Sequence, residues 1–206
     1  MTDYPAEPWD LRGQLHSSAF LVPLVDVPVD LPPGCTPLRV AGRGIVGVAW
    51  VDYEPPGVLS YREIMAVLMV RRGWRVLPTI VAIWVDSPAS RDGGRALWGI
   101  PKDLASFDFS ADGFQAWDER GGIATGSVRP RVNLPGRLPV SFSVVQWRNG
   151  AAKVSSVRSK AKVALSSATF APDPDGPLGF LSGHRPLVSF SMRDFVMSFG
   201  RAADQH

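Results

Sequence analysis

The sequence predicts a mainly β protein with a few short helices, and three observations carry that expectation. First, 20 Gly and 19 Pro cut the 206 residues into short apolar segments rather than long amphipathic ones. Second, those segments are rich in Val, Ile, Leu and Trp and are bounded by Pro, Gly or Asp, as strands are. Third, pairs such as Asn149-Gly150 and Gly121-Gly122 accept the positive φ of tight hairpin turns, so the connections read as antiparallel. Many short strands with few helices suggest a sandwich or a barrel.

In chain order, strands are expected at Gln14–Leu24, Gly44–Tyr53, Tyr61–Arg71 and Val76–Val85, several with an apolar pattern that reads as buried on both faces. Shorter ones follow at Ser106–Phe109, Phe114–Glu119 and Gly122–Val128, then Val140–Arg148 and Lys153–Leu165. The turns between them are Ala111-Asp112-Gly113, Arg120-Gly121-Gly122 and Arg148-Asn149-Gly150. One helix is expected over Pro88–Leu97, with Ser87 as N-cap and Pro88 at the first helical position; Gly93-Gly94 weakens it. A loop from Phe170 to Gly183, rich in Pro, Asp and Gly, precedes a last apolar segment, Pro186–Phe199. The length suits one domain over residues 1–206, with residues 1–10 read as a flexible arm and 200–206 as a flexible tail.

Composition removes several function classes. Lys and Arg number 22 against 19 Asp and Glu, and the basic residues are scattered, which argues against nucleic acid as a partner. Cys35 is the only cysteine, so an intramolecular disulfide and multi-cysteine metal sites are excluded, and it reads as a small buried hydrophobe in a reducing, cytoplasmic setting. The first ten residues lack a basic and then apolar leader, and no run nears the roughly 18 apolar residues of a membrane helix, so no membrane partner is expected. His16, His184 and His206 are too scattered for a ligand motif, and neither metal nor cofactor is expected. No phosphate-binding loop or nucleophile elbow is present.

The most informative stretch is Gly94-Arg95-Ala96-Leu97-Trp98-Gly99-Ile100-Pro101-Lys102, which sets a lysine behind a proline inside an apolar run. With Val85-Asp86-Ser87-Pro88 upstream and Asp103-Leu104-Ala105 downstream, it resembles the segment of the acetoacetate decarboxylase family that carries a Schiff-base lysine in a Gly-Arg-(six residues)-Lys frame. The resemblance implies an antiparallel, closed or cone-shaped β-barrel, a homo-oligomer and a small keto compound as substrate. It puts the nucleophile on Lys102. A lysine attacks a carbonyl only as the free amine, so its pKa is expected to fall through burial or a neighbouring cation.

The decarboxylases proper follow this lysine with a second one, where Asp103 stands here, and commonly have a glutamate after the Gly-Arg pair, where Ala96 stands here. An acid facing Lys102 would raise its pKa, but on an extended segment the two side chains take opposite faces. Desolvation is then expected from Trp98, Ile100 and Leu104. Tyr61-Arg62-Glu63 resembles the family's Tyr-x-Glu, which implies an acid/base role for Glu63 and a substrate contact for Tyr61. Arg12, by its spacing before Leu31-Pro32-Pro33-Gly34, resembles the family's carboxylate-binding arginine, and Arg95 is expected to support the pocket with Trp98 and Ile100.

The function implied is a carbon–carbon lyase that works through a lysine Schiff base, by β-keto acid decarboxylation or by aldol and dehydration steps. The alternatives are a non-catalytic binder of an apolar ligand on the same fold, which Asp103 motivates, and a cyclase tailoring a polyketone.

Overall fold

A computed structural model describes residues 4–28 and 30–202. Thirteen strands form one sheet: β1 (Trp9–Pro23), β2 (Thr36–Pro37), β3 (Arg39–Val40), β4 (Arg43–Tyr53), β5 (Tyr61–Arg72), β6 (Arg75–Val85), β7 (Lys102–Leu104), β8 (Ser106–Ser110), β9 (Gly113–Asp118), β10 (Gly121–Asn133), β11 (Leu138–Arg148), β12 (Ala151–Pro172) and β13 (Val188–Ala202). Between β6 and β7 lies the helical segment α1 (Pro88–Gly93), continued by one π-helical turn over Gly94–Trp98.

The sheet runs in the order β7-β6-β5-β4-β1-β13-β12-β10-β9-β8, with β11 on β12, β2 on β5 and β3 on β4. Two parts of the expected architecture need correction. The sheet is mixed rather than wholly antiparallel, because β7 returns through α1 to lie parallel to the end of β6. It is also not closed into a barrel. Where β6 faces β11 the backbones do not pair, and a side-chain amide takes the place of a strand. The Ile80 N–H donates to Gln146 Oε1 at 2.7 Å, Gln146 Nε2 donates to the Ile80 carbonyl at 3.1 Å, and Thr79 Oγ1 donates to Gln146 Oε1 at 2.9 Å. Gln146 thus satisfies both backbone groups of Ile80, which a ladder would otherwise satisfy.

The central strands are buried on both faces. On β4, Val46, Val48 and Trp50 enter one apolar core with Phe20, Ile64, Leu68 and Trp84, while Ala49, Val51 and Tyr53 enter a second with Trp9, Leu11, Ile83, Trp98 and Phe195. This explains the near-continuous apolar runs of β4 to β6.

Several strands run further than the local pattern indicates: β1 starts at Trp9, β10 continues to Asn133 and β12 to Pro172. The β10 and β12 extensions, 129–133 and 166–172, are mostly polar or small in sequence and become strand through their partners, since β12 pairs with β10, β11 and β13. Of the stretch read as an arm, Tyr4 onward is described, and Trp9 is only 1% exposed. The expected tail lies partly in β13 and partly, at 203–206, outside the described residues. The hairpin turn Asn149-Gly150 has φ of 51° and 78°, as its sequence predicts. Cys35 is buried and free.

Candidate active site

Strand register assembles one group of polar side chains. Tyr53 on β4 lies opposite Tyr61 on β5, Glu63 stands two residues along on the same face, Val85 on β6 lies opposite Glu63, and Ile83, two residues back, lies opposite Lys102 on β7. Because directly paired residues share a face and the side-chain period is two, Tyr53, Tyr61, Glu63 and Lys102 must point the same way. β7 alternates as expected, with Lys102 4% exposed and Asp103 outside.

The helical segment roofs this face. Ser87 caps it by accepting from the Ser90 N–H at 3.2 Å, which sets Ser90 in the first turn with its side chain buried. At Gly94 the helix widens into the π turn, and the Lys102 stem passes beneath: a Cβ on Gly94 would lie 2.8 Å from Lys102 Cδ and 3.0 Å from Cε. Gly99, at φ 70°, ends the turn in the left-handed region, with its α-carbon packed against the Trp147 carbonyl. The glycine of the Gly-Arg pair is therefore a steric requirement of the lysine at the far end of the segment.

Lys102 Nζ donates to Glu63 Oε2 at 2.8 Å, to Ser90 Oγ at 2.9 Å and to the Tyr61 hydroxyl at 3.3 Å. The Tyr53 hydroxyl donates to Glu63 Oε1 at 3.2 Å, and the Tyr53 and Tyr61 rings lie 4.3 Å apart. The lysine also sits 4.9 Å from the Tyr61 ring centre. Among the described residues Lys102 is the only buried cation and Glu63 the only buried carboxylate. Burial by itself pushes the Lys102 ammonium towards deprotonation, but the Glu63 charge and the hydrogen bonds that the ammonium donates to Glu63 and Tyr61 outweigh it and hold the lysine above its ordinary value. Burial, with the Glu63 charge beside it, pushes the Tyr53 phenol well up; burial also raises Tyr61, against the pull of Lys102. The resting state is thus an ammonium–carboxylate pair ringed by neutral hydroxyls, not the lowered lysine that nucleophilic attack calls for.

The other residues singled out in the sequence are placed differently. Arg95 pairs with Asp103 on the outer side of the turn, both side chains about half exposed, so these two charges neutralise each other away from Lys102. Arg12 is exposed on β1 between the buried Leu11 and Gly13, which turns it to the face opposite Leu11. Trp98 is 1% exposed, its Nε1 donating to Glu7 Oε2 at 2.7 Å and its ring held edge-on by Trp9 and Phe199. Ile100 is core beside it, whereas Leu104, expected to help desolvate Lys102, is 39% exposed. Ser90 and Tyr53 were not singled out. The pairing of the ends of β4 and β5 would have suggested Tyr53, and the third helical position after the Ser87 cap would have suggested Ser90.

A mixed sheet seating one buried lysine beneath a helical turn defines the class of protein. The pattern of the acetoacetate decarboxylase (ADC) family matches residues 31–171, and the chain belongs to that family. Among solved structures it resembles the acetoacetate decarboxylase of Legionella pneumophila, with 17% identity, a TM-score of 0.68, and 98% of this chain and 90% of that one covered. It also resembles the enduracididine biosynthesis enzyme MppR, with 14% identity, a TM-score of 0.65, and coverage of 96% and 87%. An acetoacetate decarboxylase-like enzyme from Sphingomonas wittichii RW1 gives 12% identity, a TM-score of 0.65, and coverage of 100% and 99%. At these identities the likeness is one of fold. No curated protein matches the sequence.

Proposed function

We propose that this protein is a carbon–carbon lyase that forms a Schiff base between Lys102 and a small or medium keto compound. The observation that carries this reading is the buried Lys102–Glu63 contact of 2.8 Å, which holds an amine and a base of the right kind at one point. A carbonyl entering the site competes for the ammonium protons; Glu63 takes one, and the free Nζ adds to the carbonyl carbon. The resulting carbinolamine loses its hydroxyl as water with a proton returned from Glu63, which leaves an iminium. The iminium accepts the electron pair released when a β-keto acid loses CO₂ or a retro-aldol bond breaks, giving an enamine. Protonation at carbon and hydrolysis restore the lysine. Tyr53 holds Glu63 through its other oxygen, and Ser90 fixes Nζ; both act as positioning residues.

The raised lysine pKa favours a second reading, a binder of an apolar ligand in which Lys102 is locked by Glu63. Borohydride trapping with a panel of ketones and keto acids, followed by mass mapping, separates the two. A substrate-dependent adduct on Lys102, absent in Lys102→Ala, supports the lyase, and the preferred ketone distinguishes a small substrate from a polyketone. A folded protein that gives no adduct across the panel, and whose Lys102 takes amine reagents only at alkaline pH, sinks the lyase reading.

A further inference from the structure

We propose that a cavity between the β10–β11 turn and the bulged stretches of β12 and β13 binds an oxyanion, the phosphate or carboxylate of a small anionic ligand. The cavity has a volume of about 260 Å³, and Asn133, Arg137, Lys162 and Arg193 line it. Two irregularities build it. The β12–β13 register shifts between Lys160 and Lys162, and the β1–β13 register shifts between Gly13 and Leu15, which leaves Arg193 and Asp194 outside the β1 ladder. Asp194 has φ of 50°, and its N–H donates to Gln14 Oε1 at 3.2 Å. Bulges re-aim side chains in this way.

The charges do not cancel. Arg137 is held by two neutral acceptors, the Lys160 carbonyl at 3.1 Å and the Asp194 carbonyl at 2.6 Å. Arg193 donates to Asn133 Oδ1, also neutral, at 2.7 Å. Lys162 alone has a carboxylate, Asp194, at 2.7 Å. Three cations therefore surround one carboxylate, an excess of two positive charges. A charged acceptor in the cavity pairs with the arginine forks and the lysine and neutralises the excess charge. Arginine forks suit phosphate and carboxylate alike. The proposal does not rest on the chemistry of Lys102.

Calorimetric titration of the folded protein with inorganic phosphate and, separately, with succinate in low-salt buffer tests it. Saturable binding of either anion is expected, weakening as ionic strength rises. The preferred anion says whether a phosphate ester or a carboxylic acid is the ligand. Arg193→Lys keeps the charge but removes the guanidinium fork, and is expected to weaken binding about tenfold, the change that loss of one charge-assisted hydrogen bond produces. Lys162→Met, at a half-exposed site that the fold tolerates, is expected to weaken it as well. The proposal is overturned if neither anion binds saturably to the wild-type protein at low salt, or if both variants bind as the wild type does.

Discussion

Two polar networks are buried in this sheet, and they meet the same problem by different means. On the face roofed by α1, Lys102 and Glu63 keep their charges and face each other at 2.8 Å among three hydroxyls. Across β1, β13 and β12 the polar groups are neutral: His16 Nδ1 lies 2.8 Å from Ser191 Oγ, which lies 2.8 Å from Ser166 Oγ, and Ser18 Oγ lies 2.8 Å from Ser189 Oγ. Burial first, and the Arg193 charge second, lower the His16 pKa and keep its ring neutral. The neutral ladder satisfies itself by cross-strand hydroxyl pairing, whose loss costs one hydrogen bond. The charged pair has no such tolerance, because either partner alone becomes an uncompensated buried ion. A protein built only for stability would gain more from an apolar pair at 63 and 102, so the charged pair is the region that calls for a functional explanation.

Breaking the charged pair has the largest expected effect. Glu63→Ala strands the Lys102 ammonium and is expected to cost about 3–5 kcal/mol in chemical denaturation. Glu63→Leu combined with Lys102→Met is expected to recover most of that. A single variant as stable as the wild type would show that the pair carries no buried charge.

Next comes the roof. Gly94→Ala places a Cβ 2.8 Å from Lys102 Cδ, and the lysine stem must move. The expected cost is about 1–3 kcal/mol, with a larger loss of ketone trapping than of stability. Unchanged trapping would mean that Nζ has no required position.

In the neutral ladder, Ser191→Ala is expected to cost about 2 kcal/mol by thermal or chemical unfolding, about 1 for each neutral hydrogen bond that His16 and Ser166 lose. A cost matching that of Glu63→Ala would erase the contrast between the networks.

The smallest effect is a pH dependence. His16 has a lowered folded pKa, so its contribution is present above the ordinary histidine value of about 6.5 and is lost as pH falls through and below it. Denaturation midpoints measured from pH 8 down to pH 5 should therefore fall, and less steeply in His16→Gln. Identical slopes would show that His16 does not titrate in that window.

Much of this was legible in sequence, and particular residues show how. The apolar runs of β4 to β6, the turn at Asn149-Gly150, the cap at Ser87 and the outward turn of Asp103 all follow from local pattern, because each depends on neighbours within a few residues. The motif around Lys102 identified the family. The short β7, the polar ends of β10 and β12, and the open seam at Gln146 were not legible, since each is strand, or is denied a strand, by a partner far along the chain. Arg12 and Arg95 illustrate the same limit: the family resemblance suggested pocket roles, whereas the exposure of Arg12 on β1 and the pairing of Arg95 with Asp103 are set by tertiary placement.

By itself the sequence determined the mainly β character, the helical break before Lys102 and the family motif around it, all properties of short windows. Tertiary structure alone decided what surrounds that lysine. Whether a buried ammonium is lowered by desolvation or raised by a carboxylate depends on a contact between residues 39 positions apart, and only the register of β5, β6 and β7 sets that distance.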